Sequence, residues 1–270
     1  MNRFKTLGLA SLMAVAAFAA PAIAASSDAK TPVRESWSFA GPFGTFDRAQ
    51  LQRGFKVFKE VCANCHSATR LAFRNLSQPG GPEFSEGQIK ALSAEYKIKD
   101  GPGEDGNMFE RPGRPADRWP SVYANPEAAK ATLGAVPPDL SVIAKARSYS
   151  RGFPLFLVDP FIQYQEHGVD YIYSLLALGY DNPKDPNHNS YFPGGRIGMA
   201  APLSDAQVEY TDGTPETVKQ YSKDVGAFLM WMAEPKMEER KKTGFRVMTF
   251  LLLFAGLLYF TKKRVWAGAH

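Results

Sequence analysis

Cysteine and histidine are scarce in this 270-residue sequence, with two of the first and four of the second. Both cysteines lie in the segment Cys62–His66 (Cys-Ala-Asn-Cys-His), so the chain cannot form a long-range disulfide framework. A protein-bound zinc site would need two further cysteine or histidine ligands at a suitable spacing. The other histidines, His167, His188 and His270, do not cluster in the sequence.

Long hydrophobic runs are also few. Only residues 7–20 and 244–261 are apolar enough to enter a membrane, which excludes a multi-spanning transporter. The composition is 44% hydrophobic and 22% charged, which is typical of a folded chain and not of a disordered one. The length suits one or two domains.

The centre of the chain lacks excess positive charge, although the whole chain has a formal charge of +5. Residues 25–235 contain 22 basic and 25 acidic side chains, whereas residues 236–270 contain eight basic and two acidic ones. A mildly acidic domain is a poor match for nucleic acid and a better match for a basic protein. We therefore predict a protein partner and no nucleic acid.

The first 24 residues have the features of a cleaved secretory signal peptide. Arg3 and Lys5 form a basic start, an uncharged apolar run follows, and Pro21 precedes the small-residue cleavage site Ala22-Ile23-Ala24. A transmembrane anchor is the alternative, but the apolar run is short for one. A mitochondrial presequence would be longer and richer in arginine and serine, so export across a bacterial inner membrane is expected.

The second apolar run predicts a single-pass transmembrane anchor over residues 243–262. Basic residues bracket it at 240–242 and 262–264, where they would reach the lipid headgroups. A buried core helix is the alternative, and this bracketing disfavours it. With export, residues 25–240 form a periplasmic domain and residues 263–270 a basic cytoplasmic tail.

Apolar periodicity and capping signals predict an all-α domain with loop-rich insertions. One helix is expected at 45–61, capped by Thr45 or Asp47, and another at 214–233, capped by Thr214 with Pro215 in the first turn. Proline and glycine interrupt residues 77–120, which we predict to be mostly loop. Shorter helices are expected at residues 85–95, 125–133, 141–147 and 168–178.

Cys-x-x-Cys-His is the motif that most clearly specifies chemistry. Cys62 and Cys65 can each bond one vinyl group of a haem, and His66 then supplies an axial nitrogen to the iron. A thioredoxin-like redox pair would follow a strand, whereas a helix is predicted before this motif. The sequence thus predicts one covalently bound haem c.

The second axial ligand would decide what such a haem does. A vacant position suits gas binding or peroxide chemistry, a second histidine gives a low potential, and a methionine sulfur raises the potential. Met199 has the best context, because it follows a proline- and glycine-rich stretch, residues 193–198, that can form a rigid loop. A generic apolar loop residue is the alternative. Arg147 and Tyr171 are candidate partners of the haem propionates.

With these features together, the chain resembles the cytochrome c1 family, the haem c subunits of cytochrome bc1 complexes. The resemblance covers almost the whole exported part and the C-terminal anchor. Beyond the haem motif, the segments that carry it are Arg53–Val57, Arg111–Gly113, Asn125–Ala129, Pro137–Ser141, Tyr191–Gly194, Met199–Leu203, Glu209–Pro215 and Trp231–Pro235.

The resemblance implies a class I cytochrome c-like fold with His66 and Met199 as axial ligands. It places Arg147 and Tyr171 near the haem and Pro137 on its proximal side. It also implies a close crossing of the first and last helices of the domain, with Gly54-Phe55 against Phe228 or Trp231. Leu133 departs from the family, which often has asparagine there, and residues 150–166 look like an insertion.

The function implied is that of the electron-transfer subunit of a quinol–cytochrome c oxidoreductase, with no substrate chemistry on this chain alone. A Rieske iron–sulfur protein would reduce the haem and a soluble cytochrome c would accept the electron, in respiration or photosynthesis. Cytochrome b, membrane lipid and a dimeric complex are the other expected partners. Glu104 and Asp105 are candidates for the docking face, or ordinary solvated loop charges.

Three other functions remain open from the residues themselves. A haem peroxidase would need a displaceable sixth ligand and usually a second haem, and only one haem motif is present. A membrane-tethered haem sensor would need an output module. An anchored monohaem cytochrome that serves a terminal oxidase is a closer rival.

Overall fold

The computed structural model of the chain describes residues 29–149, 153–154 and 167–268. The predicted signal peptide and nearly all of the segment 150–166 lie outside these residues. The described part is mostly helical and contains one small antiparallel sheet. Its helices are α1 (Arg48–Glu60), α2 (Glu86–Ala94), α3 (Pro126–Leu133), α4 (Ile143–Ala146), α5 (His167–Ala177), α6 (Val218–Ala233) and α7 (Met237–Trp266).

Side-chain caps start the predicted helices close to where the sequence places them. Asp47, and not Thr45, caps α1, and its carboxylate accepts a hydrogen bond from the backbone N–H of Gln50 at 3.1 Å. Ser85 caps α2 with Gln88 completing a capping box. Asn125 caps α3, with a proline in the first turn as expected.

Helices α1 and α6 cross closely at a glycine, which confirms the predicted contact. A Cβ atom on Gly54 would lie 2.1 Å from the carbonyl oxygen of Asp224 and 2.8 Å from the Cβ of Phe228, so only glycine fits. The rings of Phe55 and Phe228 lie 5.6 Å apart, and the ring of Phe58 packs on both Phe228 and Trp119. Burial of each such ring contributes roughly 1.5–3 kcal/mol, so this crossing fixes the direction of α1.

The N-terminal cap of helix α6 lies three residues later than predicted. Thr217, and not Thr214, caps it by accepting a hydrogen bond from the N–H of Gln220. Asp212 accepts instead from the N–H of Thr214 at 3.0 Å, which holds that threonine in a turn. The prediction of Thr214 and Pro215 at the helix start was therefore wrong, because the local aspartate turn competes with the helix.

The predicted loop-rich insertion contains a hairpin that an all-α description omits. Strand β1 (Lys97–Asp100) pairs antiparallel with β2 (Phe109–Pro112), with Lys97 opposite Pro112. Arg111 ties the hairpin to the following loop through two hydrogen bonds to Asp117, at 2.6 and 2.9 Å. Because the strands are short and mostly exposed, they have little of the apolar alternation by which strands are predicted.

Helix α7 is the one helix among the described residues that is long and apolar enough to cross a membrane. Its first two turns belong to the domain: Met237 is fully buried, Glu238 accepts a hydrogen bond from the N–H of Phe46, and Lys241 donates to the carbonyl of Phe39. From Lys242 to Trp266 every residue of the helix except Gly256 is exposed. The same helix therefore carries the domain's last contacts and the predicted anchor.

Candidate haem site

Helix α1 delivers the chain directly to the two cysteines. A 3₁₀ turn, Cys62–Asn64, follows the helix, and the N–H groups of Cys65 and His66 donate to the carbonyl of Cys62 at 3.2 and 2.9 Å. The turn therefore gathers both thiols and the imidazole at the end of a buried helix. Burial raises the pKa of the Cys62 thiol to about 12.

The imidazole of His66 has the tautomer that an iron ligand needs. Its Nδ1 lies 2.9 Å from the carbonyl oxygen of Pro138, which can only accept, so Nδ1 carries the proton. Nε2 is then left with its lone pair available for a metal. Burial lowers the pKa of His66 although the Pro138 carbonyl opposes this, so the ring is neutral at pH 7.

Hydrogen bonds hold the proline segment against the motif. Leu140 donates its N–H to the carbonyl of Ser67 at 2.8 Å, and the carboxylate of Asp139 accepts from both the N–H and the hydroxyl of Thr69. Burial acts to raise the pKa of Asp139, but hydrogen bonds from Ser141 and Thr69 outweigh it and lower that pKa. Thr69 and Asp139 thus fix the carbonyl that orients His66, and the sequence did not single out either residue.

Met199 lies in a loop that approaches the same proline segment. A Cβ atom on the preceding residue, Gly198, would lie 3.2 Å from the Cβ of Ala135, three residues before Pro138. The backbone carbonyl of Met199 accepts a hydrogen bond from the hydroxyl of Tyr180 at 2.9 Å. The residue before Met199 therefore lies next to Ala135, and the nearby Pro138 carbonyl binds His66, although positions 66 and 199 are far apart in the sequence.

Arg147 and Tyr171 are also brought together at this end of the domain. Burial raises the pKa of Tyr171, and the positive charge of Arg147 opposes that rise, so the two groups lie within electrostatic reach. Burial raises the pKa of Tyr180 to about 12, and the nearby Tyr171 contributes to that rise. The helix predicted at 141–147 is shorter in the structure, because α4 is a single turn that ends at Ala146 and Arg147 follows it.

The residues at this site fit a covalently held haem. Two thiols and a correctly protonated imidazole are grouped on one turn, which is the donor set that the group requires. Large apolar side chains are also exposed to water around the proline segment. They belong to Leu133, Val136 and Val142. A flat apolar ring placed there would cover such side chains. Pro137 is half-buried between them.

Comparison with known proteins agrees with this arrangement. A sequence profile described as the Cytochrome C1 family matches residues 37–269. The chain is 50% identical to "Cytochrome c1" of Blastochloris viridis, over 96% of this chain and 94% of that protein. It is 42% identical to "Cytochrome c1, heme protein, mitochondrial" of Saccharomyces cerevisiae, over 86% of this chain and 71% of that one.

A longer relative is also similar. The chain is 57% identical to "Cytochrome b/c1" of Bradyrhizobium diazoefficiens over 91% of this chain, and it spans only 37% of the length of that protein. The matched region of the profile includes the haem motif, the proline segment and the Met199 loop. The chain belongs to the cytochrome c1 family.

Proposed function

We propose that this chain is the membrane-anchored haem c subunit of a cytochrome bc1 complex. The observation that carries the proposal is the grouping of Cys62, Cys65 and His66 at the end of α1, with the His66 ring oriented by the Pro138 carbonyl. That arrangement supports covalent haem attachment and axial ligation together. The names of the relatives support the complex: one is "Cytochrome b/c1" and another, from Candida albicans, is "Cytochrome b-c1 complex catalytic subunit, mitochondrial".

In this proposal Cys62 and Cys65 would hold haem c, and His66 and Met199 would be the two ligands of its iron. The bound haem supplies a one-electron redox centre with a raised potential. The chain's residues orient its ligands and exclude water, and they change no bond in a substrate. Arg147 and Tyr171 are proposed to face the propionates. The crossing of α1 and α6 at Gly54 supports a class I cytochrome c-like core.

The proposed domain organisation follows from α7 and the charge distribution. Residues 1–24 would be removed on export, residues 25–240 would lie in the periplasm and residues 243–262 would cross the bacterial inner membrane. The orientation rests mainly on the signal-peptide features of residues 1–24; the basic cluster at 262–264 agrees with it, whereas the cluster at 240–242 lies on the opposite side. Residues 263–270 would be the cytoplasmic tail.

The proposed electron path runs from a Rieske iron–sulfur protein to a soluble cytochrome c, within a dimeric complex that includes cytochrome b and bound lipid. The excess of acidic side chains in residues 25–235 supports docking of a basic acceptor, mainly through a faster association rate. Glu104 is exposed at the hairpin turn and suits that role. Asp105 accepts hydrogen bonds from the N–H and side chain of Asn107, so it shapes the turn.

The proposal predicts a defined route of reduction in native membranes. Addition of a quinol should reduce this haem, and ferric cytochrome c should then oxidise it at a rate that falls as ionic strength rises. Stopped-flow absorbance of the haem measures both steps. Membranes that lack the iron–sulfur protein are the control, and there the quinol should leave the haem oxidised. Unchanged quinol reduction in those membranes would contradict the proposed donor.

A further inference from the structure

Hydrogen bonds between residues 187–189 and residues 195–197 close the loop that carries Met199. The N–H of Asn189 donates to the carbonyl of Gly195 at 2.9 Å. Asn187 and Ile197 are joined twice: the Asn187 side-chain amide donates to the Ile197 carbonyl, and the Ile197 N–H donates to the Asn187 carbonyl, both at 2.9 Å. These bonds close the loop two residues before Met199. None of these three bonds includes the backbone of Met199, which is bound by a different residue.

That residue is Tyr180, whose hydroxyl donates to the Met199 carbonyl at 2.9 Å. Tyr180 is held firmly because it follows Gly179, which is buried and has no room for a side chain. A Cβ atom on Gly179 would lie 2.2 Å from the side-chain oxygen of Asn189. Asn189 is itself fully buried and donates its amide to the carbonyl of Leu175 in α5. Through the packing of Gly179 on Asn189, Tyr180 therefore connects the Met199 backbone to the end of α5.

We propose that Tyr180 is a positioning residue for Met199, with Asn187 as a second tether, and that it keeps the methionine sulfur bound to the ferric haem iron. The inference rests on the proposed ligation by Met199. A sulfur on a loosely held loop leaves the iron more often, and an external ligand then competes more easily. The Tyr180 hydrogen bond opposes this loss, because it restrains the residue that carries the sulfur.

The test uses the full chain with haem bound and compares Tyr180→Phe with Tyr173→Phe. Tyr173 lies on α5 and interacts through its hydroxyl with Glu35, so its variant also removes a phenol hydroxyl but leaves the Met199 loop intact. Two readouts are measured in the ferric protein. They are the weak long-wavelength absorption band of sulfur-ligated haem and the dissociation constant for cyanide.

In Tyr180→Phe we expect a weaker sulfur band and cyanide binding that is about 2- to 10-fold tighter, which is the factor that corresponds to one neutral hydrogen bond. Tyr173→Phe should match the wild type in both readouts. A Tyr180→Phe protein with a wild-type band and wild-type cyanide affinity would overturn the proposal. If that variant does not fold, Asn187→Ala takes its place, and we expect the same two changes in it. A wild-type sulfur band and wild-type cyanide affinity in Asn187→Ala would then overturn the proposal.

The wild-type spectrum separates this inference from the proposed function. A wild-type protein with no sulfur band would show that Met199 is not the ligand, and both the ligation and the positioning role would then be wrong. A normal wild-type band with unaltered variants would overturn the positioning role alone.

Discussion

Replacement of Met199 by leucine is expected to lower the midpoint potential of the haem by on the order of 0.2 V. Axial ligands set haem potentials over a range of about 0.8 V, and a thioether sulfur stabilises the ferrous state relative to the ferric state. Leucine keeps the volume of the side chain and removes only the donor atom. An equilibrium redox titration of the membrane-bound protein measures the change.

Met108→Leu is the matched control for this substitution. Met108 is 61% exposed next to the hairpin, so its sulfur can be removed without disturbance of the core. Its variant should keep the wild-type potential. If Met199→Leu also kept that potential, Met199 would not be the sixth ligand, and another group would have to be sought on the distal side of the haem.

Substitution of both Cys62 and Cys65 by alanine is expected to leave no haem attached to the polypeptide after extraction with acid and acetone. The chain has no other cysteine, so no other thiol can replace the lost bonds. Each single variant should retain one bond and the double variant none. Absorbance of the extracted polypeptide, normalised to protein mass, measures the result.

The double substitution also tests whether the motif has a purely structural role. Both thiols are half-buried, and alanine is smaller than cysteine, so a modest loss of stability is expected even in the absence of haem. Haem that stayed with the extracted double variant would refute covalent attachment through these cysteines. The acid extraction distinguishes covalent attachment from non-covalent binding, because it removes a haem that is bound non-covalently.

Local capping chemistry explains which parts of the fold the sequence predicts. Ser85 and Asn125 each accept a hydrogen bond from a backbone N–H in the first turn of a helix. The donor lies only three residues after the cap, so these helix starts can be predicted from the sequence alone. Thr214 has the same type of capping side chain, but its N–H donates to Asp212 in a turn and Thr217 caps the helix. Two competing local interactions of similar strength cannot be ranked from sequence.

The candidate site also has one part that the sequence predicts and another part that it does not. The haem motif is contiguous, so the grouping of Cys62, Cys65 and His66 was predictable from spacing. The contacts of Thr69 with Asp139 and of Tyr180 with Met199 join residues that are 70 and 19 positions apart. Nothing in the sequence pairs them, because threonine, aspartate and tyrosine are ordinary surface residues until the fold brings them together.

We propose that a single haem c with histidine and methionine ligands carries electrons between a quinol-oxidising complex and a soluble acceptor. An equilibrium redox titration of the haem in the wild-type, membrane-bound chain tests it most directly. We expect a clearly positive midpoint potential with one-electron behaviour, because ligation by His66 and Met199 would favour the ferrous state. A midpoint near or below zero would contradict Met199 ligation and the electron path built on it.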